Sequence, residues 1–414
     1  MNWDAPELYL AVSVVGIVFT MTALIRARQI SAFVAPWFFA SWITSELALY
    51  HVAWQAAATL VFAVAGAFGA WQGWLGLGLT LLSWAGLAVA WRQSHEAAAV
   101  FETALVSALG GHHRDDIPEE RKKKLREHVP RGHLLRPFSF KRPAVERIRN
   151  IPYADAGKRN LLDIYKPVEP GSGRPVLLQI HGGGWVIGQK DQQGLPLMNH
   201  LAEHGWVCVA VNYRLSPSAR FPEHLIDIKR AMAWIRAHIA EHGGDPNWVA
   251  VTGGSAGGHL SALMALTAGD PELQPGFEEV DTSVAACVPF YGIYDFLDRE
   301  GVRGRAQMRG FLERMVMPSS PEEDPKLWEK ASPVALVRPD APPFFVIHGT
   351  HDSLAFVEDA RLFVEKLSGV SRRPVAYAEI PGAQHAFDLF HSTRSARAVN
   401  AVARFLEHAH AETK

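Results

Sequence analysis

The most constraining feature of this chain is an uneven distribution of charge. The first 91 residues carry only five charged side chains, and the other 323 carry the remaining 78, which is usual for a soluble domain. Eight of the 13 tryptophans also lie in the first region. Its long apolar runs have almost no polar face, so they cannot be amphipathic helices of a soluble protein. We therefore expect a transmembrane region over residues 1–91, followed by a soluble domain.

Three segments of the first region are long enough to cross a bilayer. Residues 8–25 form an uncharged run of 18 residues, and further spans are expected at about 47–68 and 74–91. Residues 32–45 contain a proline and two tryptophans and are expected to lie at the membrane interface. The N-terminus is acidic, whereas a cleaved signal peptide begins with a basic segment. The first span is thus expected to be retained as an anchor.

Three arginines near the span ends predict the orientation. Arg26 and Arg28 follow the first span and Arg92 follows the third, so with three spans all of them lie on the same side. Lys and Arg near span ends mark the cytoplasmic side. The sequence therefore predicts a multi-pass membrane protein whose C-terminal domain lies in the cytoplasm. Glu46 and His51 are expected at the interface, with an intramembrane functional pair as the alternative.

The rest of the chain divides into a linker and a larger domain. Residues 92–144 are predicted to form linker or cap helices, one of them over 94–109. A basic run at 121–126 is expected either to bind anionic headgroups or to form an ordinary solvated helix face. Within residues 145–414, short continuous apolar runs are typical of strands buried on both faces, and they alternate with helical segments. This alternation predicts a mostly parallel, doubly wound α/β sheet. The runs lie at 175–180, 206–211, 248–252, 284–288 and 343–347.

Composition argues against several classes of function. The 41 basic and 42 acidic side chains nearly cancel, whereas a nucleic-acid-binding protein normally carries a basic excess. Two cysteines, Cys208 and Cys287, are too few for a disulfide scaffold or a four-thiolate metal site. Both lie in apolar runs and are expected to be buried thiols. We expect no metal and no organic cofactor.

A glycine-rich turn at 253–258 supplies a candidate nucleophile. It reads GGSAGG, directly follows the apolar run WVAVT and opens an apolar helix, which is the context of a nucleophile elbow. The helix N-terminus and the Ala256 amide would favour negative charge developing beside Ser255. Taken alone, the turn is equally consistent with a capping serine.

A second glycine-rich segment, HGGGW at 181–185, follows another predicted strand. Glycines allow backbone amides to approach a substrate oxygen closely, and this type of loop forms oxyanion holes. The rival interpretation is a phosphate-binding loop. The spacing of Gly182, Gly184 and Gly188 is one residue too long for the dinucleotide-binding pattern.

The acid and the base are expected after late strands. Asp352 follows the run PFFVI, and His385 lies between the last predicted strand and the C-terminal helix. Asp295 is a competing acid after the preceding strand. The order Ser255, Asp352, His385 is the chain order of the Ser-Asp-His triad in α/β-hydrolases.

These segments together resemble the hormone-sensitive-lipase-like branch of the α/β-hydrolase superfamily. The resemblance rests on the segments at 181–185 and 253–258 and on NYRLSP at 212–217, and it extends over about 145–410. Residues 248–353 are also similar to small bacterial carboxylesterases and, more distantly, to isoprenylcysteine methylesterases. The N-terminal spans lie outside the resemblance.

The resemblance implies an α/β-hydrolase fold with Ser255 as nucleophile, His385 as base and Asp352 as its partner. It also implies oxyanion amides from Gly183, Gly184 and Ala256. The chain departs from the branch after Arg214, which leaves a structural ion pair in doubt, and by a serine after Asp352 where the branch has proline. Neither departure touches the expected chemistry.

The resulting hypothesis is a membrane-anchored serine carboxylesterase or lipase-like hydrolase acting on a small ester or lipid through an acyl-enzyme. An amidase or deacetylase, or an isoprenylcysteine-methylesterase-like hydrolase, would use the same triad. The alternative of another class is a non-catalytic membrane binding protein with a hydrolase fold. A cap is expected over 295–335, whose methionines would form an adaptable acyl pocket or fill core gaps.

Overall fold

The structure is a computed structural model that describes residues 4–27, 34–125, 129–302 and 306–413. The N-terminal region consists of helices α1 (Ala5–Leu24), α2 (Val34–Glu46), α3 (Ala48–Val64) and α4 (Trp71–Leu109). Helices α1 and α4 are long and apolar enough to cross a membrane. Helices α2 and α3 are bent by 92° at Leu47, and together they make a third candidate span.

The helices of this region expose apolar side chains and bury small polar ones. Val64 is 84% exposed and Leu82 is 64% exposed, whereas Thr20 and Ser83 are buried. Thr20 and Ser83 are hydrogen-bonded to each other across α1 and α4, with 2.7 Å between their hydroxyl oxygens. Small residues and interhelical hydrogen bonds at the contacts are typical of helices that pack within lipid.

Helix α4 continues through the boundary that separates the expected third span from the expected linker helix. Its 39 residues run without a break past Arg92, and Ala97, Phe101 and Leu105 are buried against the sheet domain. The linker that follows contains the short helices α5 (Glu119–Lys122) and α6 (Arg131–Leu135).

Part of the basic run forms ion pairs within the protein. Arg121 pairs with Glu407 at 2.9 Å, and Lys122 pairs with Glu119 at 2.7 Å. Arg126, the last residue of the run, lies outside the described residues. These pairs favour the ordinary-surface interpretation for Arg121 and Lys122.

The second domain is built on one eight-stranded sheet in the order β1-β2-β4-β3-β5-β6-β7-β8. Strand β2 pairs antiparallel with β1 and β4, and the pairings from β4 to β8 are all parallel. The predicted α/β-hydrolase class is therefore confirmed. The strands are β1 (Val145–Pro152), β2 (Leu161–Pro167), β3 (Arg174–Ile180), β4 (Val207–Val211), β5 (Gly244–Gly254), β6 (Ala286–Phe290), β7 (Phe344–Gly349) and β8 (Val375–Ile380).

Helices cover both faces of this sheet. The helices of this domain are α7 (Leu195–Glu203), α8 (Glu223–His238), α9 (Ala256–Leu266), α10 (Ala306–Phe311), α11 (Pro325–Lys330), α12 (Val357–Val370) and α13 (Thr393–Ala411). Alternate residues of one strand point into different layers, so that Leu178 packs in the core with α8, α9 and α12, and Leu177 packs with α7, α13 and the end of α4. Cys208 and Cys287 are free and buried. Arg214, whose ion pair was in doubt, contacts Asp227 and Glu223, each at 2.9 Å.

Candidate active site

Ser255 stands at the turn between β5 and α9 in a backbone conformation that is rare for a side-chain-bearing residue. Its φ is +58° and its ψ is −121°, a region that costs on the order of 1–3 kcal/mol. The turn requires glycine beside it, because a Cβ added at Gly257 would lie 2.2 Å from the Ile180 carbonyl oxygen. The strained turn holds Ser255 at the carboxyl end of β5, on the wall of a cavity.

Asp352 and His385 are directly hydrogen-bonded. Asp352 lies after β7 and His385 after β8, and 2.6 Å separates the Asp352 Oδ2 and His385 Nδ1 atoms. The other carboxylate oxygen accepts the amides of Leu354 at 2.9 Å and Ala355 at 2.8 Å. His348 Nε2 lies 3.3 Å from Oδ2. These contacts fix the carboxylate in one orientation toward His385.

The charge state of Asp352 follows from these partners. Burial would raise its pKa, but the charge of His385 and the hydrogen bonds from His348 and His385 outweigh burial and hold the pKa well below its usual range. Asp352 is therefore ionised at neutral pH. An ionised partner at Nδ1 keeps the proton on that nitrogen and leaves Nε2 as the basic atom of the His385 ring.

The competing acid, Asp295, is engaged elsewhere. Its Oδ1 accepts a hydrogen bond from Arg299 Nη1 at 2.8 Å, and it accepts the backbone amides of Leu297 and Arg299. The structure thus pairs His385 with Asp352 rather than with Asp295.

The HGGGW loop lies on the same cavity. Gly183 and Gly184 line it, with φ of +116° and +60°. A Cβ at Gly183 would approach the Ile187 carbonyl oxygen to 2.2 Å, so a side chain is excluded there. Gln193 Oε1 accepts the Gly182 amide at 2.6 Å and anchors the start of the loop. Ala256 begins α9 directly after Ser255.

The cavity has a volume of about 510 Å³ and a mostly apolar wall. Of the expected cap methionines, Met308 lines it, whereas Met317 is fully buried in the core and Met315 packs against that core. The gap-filling role therefore fits Met317. The other apolar and aromatic lining residues are Phe38, Trp185, Ile187, Tyr291, Ile293, Phe311, Leu354, Ala355, Ala386 and Leu389.

Sequence reasoning missed two aromatic residues of this wall. Phe38 comes from α2, in the stretch expected only at the membrane interface, and no local signal pointed to it. Among the described residues of 92–144, where cap helices were expected, none lines the cavity. Tyr291 lies four residues before Asp295, its ring centre is 4.6 Å from that of His385, and its hydroxyl donates to Asp388.

The linker also contains two adjacent histidines, His112 and His113, next to Asp115 and Asp116. His112 contacts Asp115 at 3.3 Å on an exposed turn. Across the described ranges, no group of three or more His, Cys, Asp or Glu side chains is arranged to hold a metal ion.

Comparisons with known proteins identify relatives of this chain and a shared fold. Residues 162–367 match the BD-FAE family. The chain is 52% identical over 264 residues to the probable carboxylic ester hydrolase LipM of Mycobacterium tuberculosis, a match that covers 63% of this chain but only 61% of LipM. It is 43% identical over 313 residues to the esterase LipQ of the same organism, covering 74% of this chain and 73% of LipQ. A truncated carbohydrate esterase from gut microbiota shares the fold, with a TM-score of 0.55 at 22% identity, covering 65% of this chain and 97% of that one.

Proposed function

The chain belongs to the carboxylic ester hydrolases of the α/β-hydrolase superfamily, the family of LipM and LipQ, and on that premise we propose that it hydrolyses carboxylic esters through an acyl-enzyme on Ser255. One observation carries the proposal. Ser255 and His385 line the same apolar cavity, and Asp352 is hydrogen-bonded to the Nδ1 atom of the His385 ring.

The proposed reaction begins with the removal of a proton. His385 Nε2 accepts the Ser255 hydroxyl proton as the serine oxygen attacks the ester carbonyl carbon, and Asp352 stabilises the imidazolium that results. The amides of Gly183, Gly184 and Ala256 donate to the oxyanion, and one such donor contributes roughly 2.7–4 kcal/mol in the transition state. The intermediate collapses when His385 returns the proton to the leaving alcohol. Water activated by the same ring then releases the acid.

We also propose that the chain is a multi-pass membrane protein with its catalytic domain in the cytoplasm. Arg26 follows α1 and donates to Glu358 of the catalytic domain at 2.8 Å, and Arg92 lies in α4 shortly before that helix joins the sheet. Both basic residues are thus on the side of the catalytic domain, which the positive-inside rule assigns to the cytoplasm. A membrane location favours an amphipathic or lipid ester.

The test uses the full chain in detergent with p-nitrophenyl esters from acetate to palmitate. We expect Ser255→Ala to abolish hydrolysis and labelling by a fluorophosphonate probe, which reacts with activated serines. The matched control is Ser261→Ala, which removes a buried hydroxyl of the same helix that donates to Gly257 and lies outside the cavity lining. Equal activity in Ser255→Ala and the wild type would contradict the proposal, and a higher rate on matched amides than on esters would favour the amidase alternative.

A further inference from the structure

Helix α2 is attached to the loop that carries His385. The Trp42 indole donates to the Ala386 carbonyl at 2.9 Å. The Gln384 side chain donates to Ser41 at 3.2 Å and accepts the His385 amide at 2.9 Å. An apolar helix of the N-terminal region therefore holds both residues that flank the candidate base.

The same helix forms part of the cavity wall. Phe38 is 9% exposed, lines the cavity and meets the His385 ring edge-on, with 6.2 Å between ring centres. The next residue, Phe39, is exposed, as is Ile43 one turn further on. Helix α2 thus has one side on the cavity and another side that is apolar and open.

The open side continues into surface that is suited to lipid. It joins α3 at the 92° bend, and α3 exposes Leu49, Leu60 and Val61. In the other direction, ring contacts at 5.1 Å each lead from Trp42 to Phe390 and from Phe390 to Phe138, which is 65% exposed. Trp is enriched at the headgroup level of a bilayer, and Phe is common on the apolar faces of helices that lie in the interface.

The rim of the cavity is also apolar. Ile187 lines the cavity and is 68% exposed. Exposed apolar patches of this kind mark sites that meet a membrane, a ligand or another protein. The exposed apolar patch consists of Phe39, Ile43, the exposed side chains of α3, Phe138 and Ile187. Helices α2 and α3 are long and apolar enough to span a bilayer only when they are taken together, and a lipid monolayer is therefore the occupant that this surface favours.

We propose that the substrate is a lipid ester resident in the bilayer, whose acyl chain reaches Ser255 along α2, with Phe38 setting the fit of that chain. The inference rests on the proposed ester hydrolysis at Ser255. Each methylene that moves from lipid into water costs free energy. A long acyl chain that follows α2 from the bilayer to Ser255 would not have to pass through water.

The first test compares two routes to the site. The full chain is reconstituted into phosphatidylcholine–phosphatidylglycerol vesicles, and 4-methylumbelliferyl oleate is placed either in the same vesicles or in separate ones. We expect at least about tenfold faster hydrolysis when enzyme and oleate ester share a bilayer, because a long-chain ester exchanges slowly through water. The water-soluble butyrate ester should be hydrolysed equally in both arrangements.

The outcomes separate this inference from the proposed function. Equal oleate hydrolysis in both arrangements, or hydrolysis of the butyrate ester alone, overturns the bilayer route and leaves the serine hydrolase intact. If no Ser255-dependent hydrolysis of either ester occurs, the proposed function itself fails. Oligomeric state is measured alongside. If Phe138→Ser dissociates an oligomer and leaves the preference for a shared bilayer unchanged, the patch binds protein and the inference is wrong.

The second test concerns Phe38. We expect Phe38→Ala to change the oleate-to-butyrate ratio of kcat/KM by about tenfold in favour of oleate, and Phe38→Trp to move it in the opposite direction. The control is Phe62→Ala, which removes an aromatic ring of α3 packed against Tyr9, away from the cavity. The ratio should be unchanged in that variant. If the ratio also stays unchanged in both Phe38 variants, the role of Phe38 is refuted.

Discussion

The two regions of this molecule place polarity in opposite positions. In the sheet domain, strand residues such as Leu178, Val209 and Val251 are fully buried, and the charges lie mostly outside. In the N-terminal helices, Thr20 and Ser83 are buried, and valine and leucine side chains cover the outside.

On the proposed membrane location, this difference corresponds to a different solvent for each region. Water drives apolar side chains together, so the sheet domain is stabilised mainly by burying them. Lipid offers no such drive, because its acyl chains are as apolar as leucine, and helices within it associate through close packing and hydrogen bonds. If the N-terminal helices lie in lipid as proposed, the two regions of the chain are stabilised by different forces. A buried polar group is expected to contribute a different amount to the unfolding free energy in each region.

The largest effect is expected where a buried polar group of the sheet domain serves chemistry. Asp352→Asn should lower kcat by about 10⁴-fold, because the neutral amide no longer stabilises the imidazolium or fixes the tautomer of His385. Steady-state kinetics on p-nitrophenyl butyrate would measure this. Asp295→Asn is the matched control, since Asp295 is equally buried but bonded to Arg299. A greater loss of kcat in Asp295→Asn would reverse the assignment of the acid.

The second prediction concerns the junction between the regions. Glu46, at the end of α2, and Arg394, in α13, form an ion pair at 2.9 Å with both side chains fully buried. Glu46→Gln leaves Arg394 buried without its counter-charge, and breaking such a pair costs about 3–5 kcal/mol of unfolding free energy. Unfolding in mixed micelles with rising dodecyl sulfate would measure the change.

The control for this prediction is an exposed pair. Arg92 and Glu96 lie 3.2 Å apart on the surface of α4, and Glu96→Gln should change the unfolding free energy by less than about 1 kcal/mol. If the two variants are equally stable, the junction is not what couples the regions. The comparison would then describe two units that fold independently.

These contacts show what the sequence could and could not supply. The fold class and family were predictable and are confirmed, because strand runs and glycine turns are local patterns. The roles of Ser255, Asp352 and His385 remain predictions, although the structure brings the three side chains to one site. Phe38 and the Glu46–Arg394 pair depend on contacts between residues more than 300 positions apart, and no local pattern reports such contacts.

The boundary at residue 92 shows a different limit. Arg92 introduces charge after a long apolar run, which is how a span usually ends, so a linker was expected there. Helix α4 continues because Ala97, Phe101 and Leu105 recur at helical spacing and pack on the sheet domain. Composition shows where the apolar region ends, and only the tertiary packing shows that helix α4 continues unbroken past that point.

A third prediction concerns the pH dependence of stability. We expect this dependence to arise outside the N-terminal helices, because 18 of the 19 histidines lie after residue 91. Burial lowers the pKa of His181 and of His224 to about 4, against 6.5 in an unfolded chain. Below pH 6.5 these two histidines bind protons in the unfolded chain but remain neutral in the folded protein. The unfolding free energy that these two neutral histidines contribute is therefore fully present well above pH 6.5 and is lost progressively as the pH falls toward 4.

At pH 5.5 each of these two histidines should cost about 1 kcal/mol of unfolding free energy relative to pH 7.5. Unfolding of the wild type, His224→Gln and His112→Gln would be measured at both values. His224→Gln should reduce the loss by about the contribution of one histidine. His112 lies on an exposed turn, and His112→Gln serves as the surface control. An unchanged slope in His224→Gln would show that His224 is not held neutral in the fold.

The prediction with the smallest expected effect tests the contrast between the two regions directly. A double-mutant cycle on Thr20→Val and Ser83→Ala isolates one interhelical hydrogen bond, which joins their hydroxyls at 2.7 Å. Its coupling energy should be near 0.6 kcal/mol, because separated helices in lipid also find partners for their polar groups. Thr252→Val in the sheet domain removes a hydroxyl that donates to the buried Val288 carbonyl at 2.6 Å, and losing a hydrogen bond of this kind costs about 0.5–1.5 kcal/mol. If the Thr20–Ser83 coupling energy exceeds the cost of Thr252→Val, a buried hydrogen bond contributes more free energy in the helices than in the sheet. That result would contradict the proposed contrast between the two regions.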